Sequence, residues 1–263
     1  MNLNFYKYEG AGNDFIVLDN RNGEFSPNPD SEVIKRICDR HFGIGADGLI
    51  ALQLKDGYDF EMVYYNANGN EGTMCGNGGR CIVAFAKHLG LITSETNFLA
   101  VDGPHYAKIS EKGDWVSLKM IDVKSIDIDG NALVLNTGSP HYVLQTRDLQ
   151  NKNVFKEGRK IRYNDTYSEK GINVNFVEDM GNHYYVRTYE RGVENETYAC
   201  GTGVTAVALA MAKTKDNTGH IKTTLRVMGG ELHVSFDYDG KSFTDVFLEG
   251  PATFVFTGSF KLL

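Results

Sequence analysis

Two short stretches hold the residues best suited to chemistry. MCGNGGRC (74–81) and ACGTGVTA (199–206) each place a cysteine directly before a glycine and then run into an apolar, helix-forming segment. The free N–H groups and positive dipole end of a helix stabilise an anion, and glycines let the backbone come close to it. One such anion is a thiolate, whose pKa falls at a helix N-terminus, so Cys75 and Cys200 can each exchange a proton near neutral pH. The other is a substrate carboxylate, cradled by the N–H groups of Gly76, Asn77, Gly201 and Thr202. Both fit one amino-acid substrate. If the two helix starts face each other, two thiols flank a single carboxylate, and that geometry inverts a carbon. One group removes the α-proton from one face while the other supplies a proton to the opposite face. A lone Cys-Gly at a helix start is more often packing than catalysis, but two at equivalent repeat positions change that weighting.

A repeat is what makes the positions equivalent. Cys75 and Cys200 lie 200 − 75 = 125 residues apart, and GNDFIVL (12–18) matches GSPHYVL (138–144) at 126. GIGADGL at 43 pairs with GINVNFV at 171 (128), FEMVYYN at 60 with YVRTYER at 185 (125), and TNFLAVDG at 96 with TTLRVMGG at 223 (127). Each half reads as strand, turn, short helix, alternating stretches, Cys-Gly loop, buried helix and further strands. DSEVIKRICDRH (30–41) is a capped amphipathic helix with Cys38 on its apolar side. RCIVAFAKHLGL and GVTAVALAMAKT are apolar almost all round, which buries them, and Gly90 ends the first. The expected fold is α+β, two pseudo-symmetric halves, each a mixed, mostly antiparallel sheet curled into a barrel-like roll around a central helix. The halves are expected at 1–121, joined by the final strand 253–263, and at 122–252, with the join near 119–131 and the active site in the cleft between them.

Composition narrows the classes. The 263 residues are 41% hydrophobic and 23% charged, enough for a sizeable core. A net charge of −7 without long blocks of like charge argues against nucleic acid as the main partner. The N-terminus lacks the pattern of a signal peptide, no apolar run is long enough to span a bilayer, and the cytoplasm is the default. Four cysteines without a CxxC pair should stay reduced there. Cys81 lies on the apolar helix and reads as structural, and no metal is expected, because no His or Cys stands at ligand spacing beside either loop.

Taken together, GAGNDF (10–15), GIGADG (43–48), YNANG before MCGNGGRC, NTGSPH (136–141), INV (172–174) and YERG before ACGTG resemble the diaminopimelate epimerases over nearly the whole chain. The resemblance implies a cofactor-independent isomerase, a homodimer, that interconverts LL- and meso-2,6-diaminopimelate on the route to lysine and peptidoglycan. It implies Cys75 and Cys200 as acid/base thiols, and Gly76, Asn77, Gly201 and Thr202 as the cradle of the reacting carboxylate. Asn13, Asn66, Asn173 and Arg191 would bind the substrate, with Arg191 on the distal end, where a planar guanidinium suits a carboxylate. Glu190 and His141 would tune the thiols, and Glu190 would accept from the reacting ammonium. Asn in such surroundings is commonly a turn residue. Neighbours Glu190 and Arg191 can line one pocket only if their strand ends or bulges there. Two positions depart from the family: Ser139 stands where many members have Asn, and Gly48 where some have Gln.

A proline or hydroxyproline racemase is the nearest alternative, disfavoured by Arg191, since such a substrate has no distal charged end. A silent amino-acid-binding module is disfavoured by the presence of both thiols. A thiol redox protein lacks its CxxC, although facing thiols predict a reversible, inactivating Cys75–Cys200 disulfide.

Overall fold

The computed structural model describes residues 2–26, 29–72 and 74–262. Met1 and Leu263, at the ends of the segments expected above, lie outside them. The chain divides into two compact units, Met1–Leu118 with Gly250–Leu263, and Lys119–Glu249.

In the first unit β1 (Asn2–Gly10) and β2 (Asn13–Asp19) form a hairpin whose two loop residues, Ala11 and Gly12, both have positive φ, at 55° and 83°. That turn matches the strand twist and is what brings Asn13 out at its end. Helix α1 (Ser31–Cys38) then crosses to β3 (Gly48–Gln53), parallel to β2; β4 (Phe60–Asn66) returns antiparallel. Helix α2 (Gly76–His88) crosses to β5 (Glu95–Ala100), parallel to β4, followed antiparallel by β6 (Gly103–Ile109) and β7 (Trp115–Lys119). The last strand, β17 (Thr253–Lys261), pairs antiparallel with the outer side of β1.

The second unit repeats this plan. β8 (Asp127–Asp129), β9 (Ala132–Asn136) and β10 (Pro140–Gln145) pair antiparallel, and α3 (Val154–Arg162) crosses to β11 (Asn173–Asp179), parallel to β10. β12 (Tyr184–Glu190) returns antiparallel and carries the short β13 (Asn195–Thr197) on its end. Helix α4 (Gly201–Lys215) crosses to β14 (Gly219–Val227), parallel to β12, and β15 (Gly230–Tyr238) and β16 (Phe243–Pro251) close the series antiparallel. Each unit is thus a mixed, mostly antiparallel sheet around one helix. α2 packs on β1, β2, β3, β6 and β17, and α4 on β9, β10, β11, β12, β14 and β15. Both are buried along most of their length, Gly76–Ala86 in α2 and nearly all of Gly201–Ala212 in α4. Helices apolar on every face have no other stable place in water.

Two details differ from the sequence reading. The helix expected over 30–41 stops at Cys38, because Asp39 turns extended (ψ 127°) and its carboxylate accepts from the N–H groups of His41 and Phe42. The repeat offsets also tighten. Phe15 faces Gly48, and its counterpart His141 faces Asn173, so Gly48 corresponds to Asn173 at 173 − 48 = 125, not 128. Leu49 faces Tyr65 and Val174 faces Tyr189, which sets the β4 and β12 offset at 189 − 65 = 124 rather than 125. Ladder register follows backbone pairing, and a weak identity can slide along a strand without changing which face is apolar. Among the described residues no helix is long and apolar enough to cross a membrane.

Candidate active site

Each candidate thiol sits at a helix N-cap. Cys75 (φ −100°, ψ 125°) precedes α2 and Cys200 (φ −120°, ψ 109°) precedes α4, and neither side chain caps its own helix. The Cys75 and Cys200 carbonyls accept from Gly79 (2.7 Å) and Val204 (2.9 Å), so helical bonding begins at those N–H groups. The N–H groups of Gly76 and Asn77, and of Gly201 and Thr202, precede the first intrahelical bond, as helix geometry requires. Cys75 is half-buried and Cys200 is buried. The other two thiols sit in apolar core: burial pushes Cys38 up to about 12 and raises Cys81 further.

In the first unit, Cys75 Sγ lies 3.7 Å from Asn13 Oδ1, and Asn77 Nδ2 donates to that same oxygen (3.2 Å). The chain of amides is fixed at both ends. Arg80, fully buried, donates through its guanidinium to Asn77 Oδ1 (3.1 Å), and Asn13 Nδ2 donates to Asp47 Oδ2 (2.7 Å). A guanidinium only donates and a carboxylate only accepts, so neither amide can turn over. Asn13 therefore shows its carbonyl to the thiol, which donates S–H to it. Arg80 also donates to the Gly76 carbonyl (3.3 Å) and the Pro251 carbonyl (3.2 Å), tying the start of α2 to the segment before β17. Asp47 is steadied by Arg40 (2.8 Å), which also binds Asp14 (2.6 Å) opposite Lys7 (2.7 Å). Burial works to raise Asp14, but hydrogen bonds from Arg40 and Lys7 outweigh it and hold the carboxyl at about 2.

Asn66 closes β4, and its Oδ1 accepts from the Tyr64 hydroxyl (3.1 Å). Gly48 explains how Tyr64 fits: a Cβ there would meet the Tyr64 ring at 2.5 Å and the Tyr65 carbonyl at 2.7 Å. The tyrosine fills the room that a larger side chain at 48 would take.

In the second unit, β12 stops at Glu190 and a turn follows, with Gly192 at φ 92° and Glu194 at φ 56°. The strand end that two adjacent site residues require is present. Asn173 anchors the turn: its Oδ1 accepts from the Arg191 N–H (2.8 Å) and its Nδ2 donates to the Pro140 carbonyl (3.3 Å), so both ends of the amide hold backbone. The Arg191 guanidinium donates to the Lys170 carbonyl (3.1 Å), Glu190 accepts from Thr197 (2.9 Å), and Cys200 Sγ lies 3.6 Å from the Thr202 hydroxyl. The Thr137 hydroxyl donates to the Thr202 carbonyl (2.8 Å), linking the end of β9 to α4, while Ser139 supplies a backbone carbonyl to the Thr137 N–H (3.2 Å).

His141 is fully buried on β10, with Nδ1 3.0 Å from Asn175 Nδ2. Burial, reinforced by the Arg191 charge and opposed by the Asn175 bond, pushes its pKa down to about 3. It is neutral at pH 7. Among the described residues its Nε2 is buried with no hydrogen-bond partner.

The structure thus gathers Asn13, Cys75 and Asn77 around one oxygen, and binds Asn173 to the turn that carries Arg191. Sequence reasoning missed Asp47, Tyr64, Arg80 and Asn175. Arg80 left a readable signal, a charge inside an otherwise apolar helix; the others looked like ordinary strand and turn residues. Among the described residues no group of three or more His, Cys, Asp or Glu is placed to hold a metal ion.

The diaminopimelate epimerase family model matches residues 5–125 and 133–255. The diaminopimelate epimerase of Flavobacterium psychrophilum is 52% identical over 256 residues, covering 97% of this chain and 98% of that protein. The one from Chlorobaculum tepidum is 40% identical over 262 residues, 96% of this chain and 99% of that protein. Solved structures share the fold at low identity. A phenazine biosynthesis protein of the PhzF family from Bacillus anthracis superposes with a TM-score of 0.74 at 15% identity, covering all of both chains. A hydroxyproline epimerase from Agrobacterium vitis, with bound trans-4-hydroxy-L-proline, gives 0.69 at 13%, covering 98% of this chain and 92% of that one. By the extent of the family match and the identity of its relatives, this chain belongs to the diaminopimelate epimerase family, a family of isomerases.

Proposed function

We propose that the chain interconverts LL- and meso-2,6-diaminopimelate without a cofactor, with Cys75 and Cys200 as the acid/base pair. One thiolate takes the α-proton, and the C–H electron pair stays on carbon as a carbanion-like centre beside the carboxylate. The other thiol gives its S–H proton to the opposite face and becomes the thiolate. Protons balance, and the reverse reaction exchanges the roles. The observation that carries the reading is the doubled construction: at equivalent points of two matching units, a cysteine stands at the N-cap of a buried, glycine-led helix whose first N–H groups are unclaimed by the helix. Those N–H groups suit the reacting carboxylate, where the negative charge of the transition state spreads.

In this reading Arg191 takes the distal carboxylate, with Asn13 and Asn66 offering neutral amides. Asn173 contributes by fixing the Arg191 backbone, and Glu190 and His141 adjust the reacting end. The active unit is a cytoplasmic homodimer that serves lysine and peptidoglycan precursor synthesis.

The deciding experiment is proton NMR of LL-diaminopimelate in heavy water with wild type, Cys75→Ala and Cys200→Ala, no cofactor added. Loss of the α-hydrogen signal with formation of the meso isomer in wild type alone supports both substrate and mechanism. Exchange on hydroxyproline or proline instead refutes the substrate while leaving two-thiol chemistry.

A further inference from the structure

His141 and Asn175 are both fully buried, on the adjacent parallel strands β10 and β11. The Asn175 amide is held in one orientation by backbone and side chain together. Its Nδ2 donates to the Tyr142 carbonyl (3.2 Å), which can only accept, and its Oδ1 accepts from the Thr188 hydroxyl (3.0 Å). With Nδ2 thereby fixed as the atom facing His141 Nδ1 at 3.0 Å, the ring nitrogen there must be the acceptor. A neutral imidazole carries one proton, so it resides on Nε2. That Nε2–H is the atom left without a partner among the described residues.

A buried donor without an acceptor is costly, and it persists where a ligand supplies what the protein does not. We propose that Asn175 is a positioning residue that locks His141 in the Nε2–H tautomer, so that the ring offers one buried N–H donor to a substrate carboxylate. The proposal rests on the epimerase reading for the identity of the ligand, not for the tautomer. The Arg191 charge disfavours a second proton on this ring, and an anionic oxygen placed at Nε2 meets the donor that the protein leaves unpaired. Asn175 Oδ1 also lies against Gly203, where an added Cβ would meet it at 2.4 Å and the Cys200 Sγ at 3.3 Å. The lock is therefore built into the first turn of the helix that carries the second thiol. A ring held this way acts as a donor and does not shuttle protons, because its one basic nitrogen is already occupied.

The test reads the tautomer directly. Histidines are labelled with 15N, the His141 signals are identified by their absence in His141→Gln, and long-range proton–nitrogen correlation at pH 7 shows which nitrogen bears hydrogen. The expected result is protonated Nε2 and bare Nδ1, with the Nε2–H resonance moving downfield when diaminopimelate is added. A ring protonated on Nδ1, or on both nitrogens, overturns the lock; an Nε2–H signal that diaminopimelate leaves unmoved overturns the carboxylate assignment. Asn175→Asp offers Nδ1 only acceptors, so the proton moves to Nδ1 and kcat falls about tenfold or more. An unchanged tautomer in that variant also overturns the proposal, and if the variant does not fold, the wild-type spectrum decides. Because no turnover is needed, failure of the epimerase reading shows separately, in the heavy-water exchange experiment.

Discussion

Alanine at Gly203 and at Gly78 is the same substitution at equivalent points of the two units, three residues after each candidate thiol, yet the surroundings predict different outcomes. Both glycines lie in the first turn of a helix, where alanine gains at most about 1 kcal/mol over glycine from backbone entropy. At Gly78 the new Cβ would meet the Ile50 Cδ1 methyl at 3.1 Å, the Met62 Cε at 3.4 Å and the Phe15 ring at 3.5 Å. Ile50 and Met62 meet it with flexible ends that can give by a few tenths of an ångström. The gain and the crowding roughly cancel, and Gly78→Ala should stay within about 1 kcal/mol of wild type. At Gly203 the Cβ would stand 2.4 Å from Asn175 Oδ1, 3.2 Å from Cys200 Cβ and 3.3 Å from its Sγ. Asn175 cannot swing aside without breaking bonds to His141, Tyr142 and Thr188. Overpacking costs about 1–3 kcal/mol and the loss of one of these buried hydrogen bonds about 1 more, so the net loss should be about 1–3 kcal/mol after the helical gain. For a chain of this size that is a fall of roughly 3–10 °C in melting temperature. Calorimetry of both variants beside wild type measures it, and α-hydrogen exchange in heavy water should fall for Gly203→Ala far more than for Gly78→Ala. Equal shifts in the two variants, or a Gly203→Ala protein as stable as wild type, would show that the close approach to Asn175 does not constrain the site.

Three further outcomes follow from the same geometry. Arg80→Met leaves the Gly76 and Pro251 carbonyls and the Asn77 amide without their donor and should cost about 2–4 kcal/mol in urea unfolding, with Arg80→Lys recovering only part, because a compact ammonium cannot span three acceptors. Gly48→Gln should be destabilising by about 2–4 kcal/mol, since its Cβ meets the Tyr64 ring and the Tyr65 carbonyl, and adding Tyr64→Ala should restore part of the loss in the same assay. His141 has a folded pKa near 3 against about 6.5 unfolded, so the unfolded chain binds the extra proton between those values. The stability it contributes is whole above pH 6.5 and drains as pH falls, by about 1.4 kcal/mol per unit. Between pH 6.5 and 4.5, above the range where Asp14 titrates, wild type should lose more stability than His141→Gln; parallel curves would contradict a neutral buried ring.

Much of this arrangement was legible in the sequence. The two Cys-Gly helix starts, the burial of both apolar helices, the Gly90 stop and the core placement of Cys38 and Cys81 all follow from residue type and spacing, because each rests on local rules. Less legible were features set by pairing between strands. The offset of β3 and β11 slid by three residues, since several registers put apolar side chains on the same face, and only the ladder chooses among them. Asn175 was invisible for a related reason: its importance comes from His141 and Tyr142 on β10 and Thr188 on β12, the two neighbouring strands, and no spacing along the chain encodes that meeting. Asp39 shows the opposite failure, a local signal passed over, since an Asp followed by Arg-His-Phe-Gly is a turn former competing with the helix.

The corrected register shows how a duplicated scaffold is filled unequally. Asn13 corresponds to Ser139, Phe15 to His141, Gly48 to Asn173 and, with the β4 and β12 offset of 124, Asn66 to Glu190. Around Cys75 the first unit therefore sets neutral amides, with a carbonyl turned toward the sulfur and with Arg80 and Asp47 each one amide removed. The second unit carries a neutral imidazole at His141 and a carboxylate at Glu190 at the matching places, with the Arg191 guanidinium one residue beyond. In the proposed reaction the two thiols must hold opposite protonation states when substrate binds, and identical surroundings would leave the choice to chance. The Asn13 carbonyl faces one sulfur and the Thr202 hydroxyl lies beside the other, so the two thiols meet different partners. Asn13→Leu, which removes the carbonyl facing Cys75, should lower α-hydrogen exchange in heavy water far more than Ser139→Ala at the matching point of the second unit. Equal losses in the two variants would mean that the unequal filling does not bear on the thiol sites.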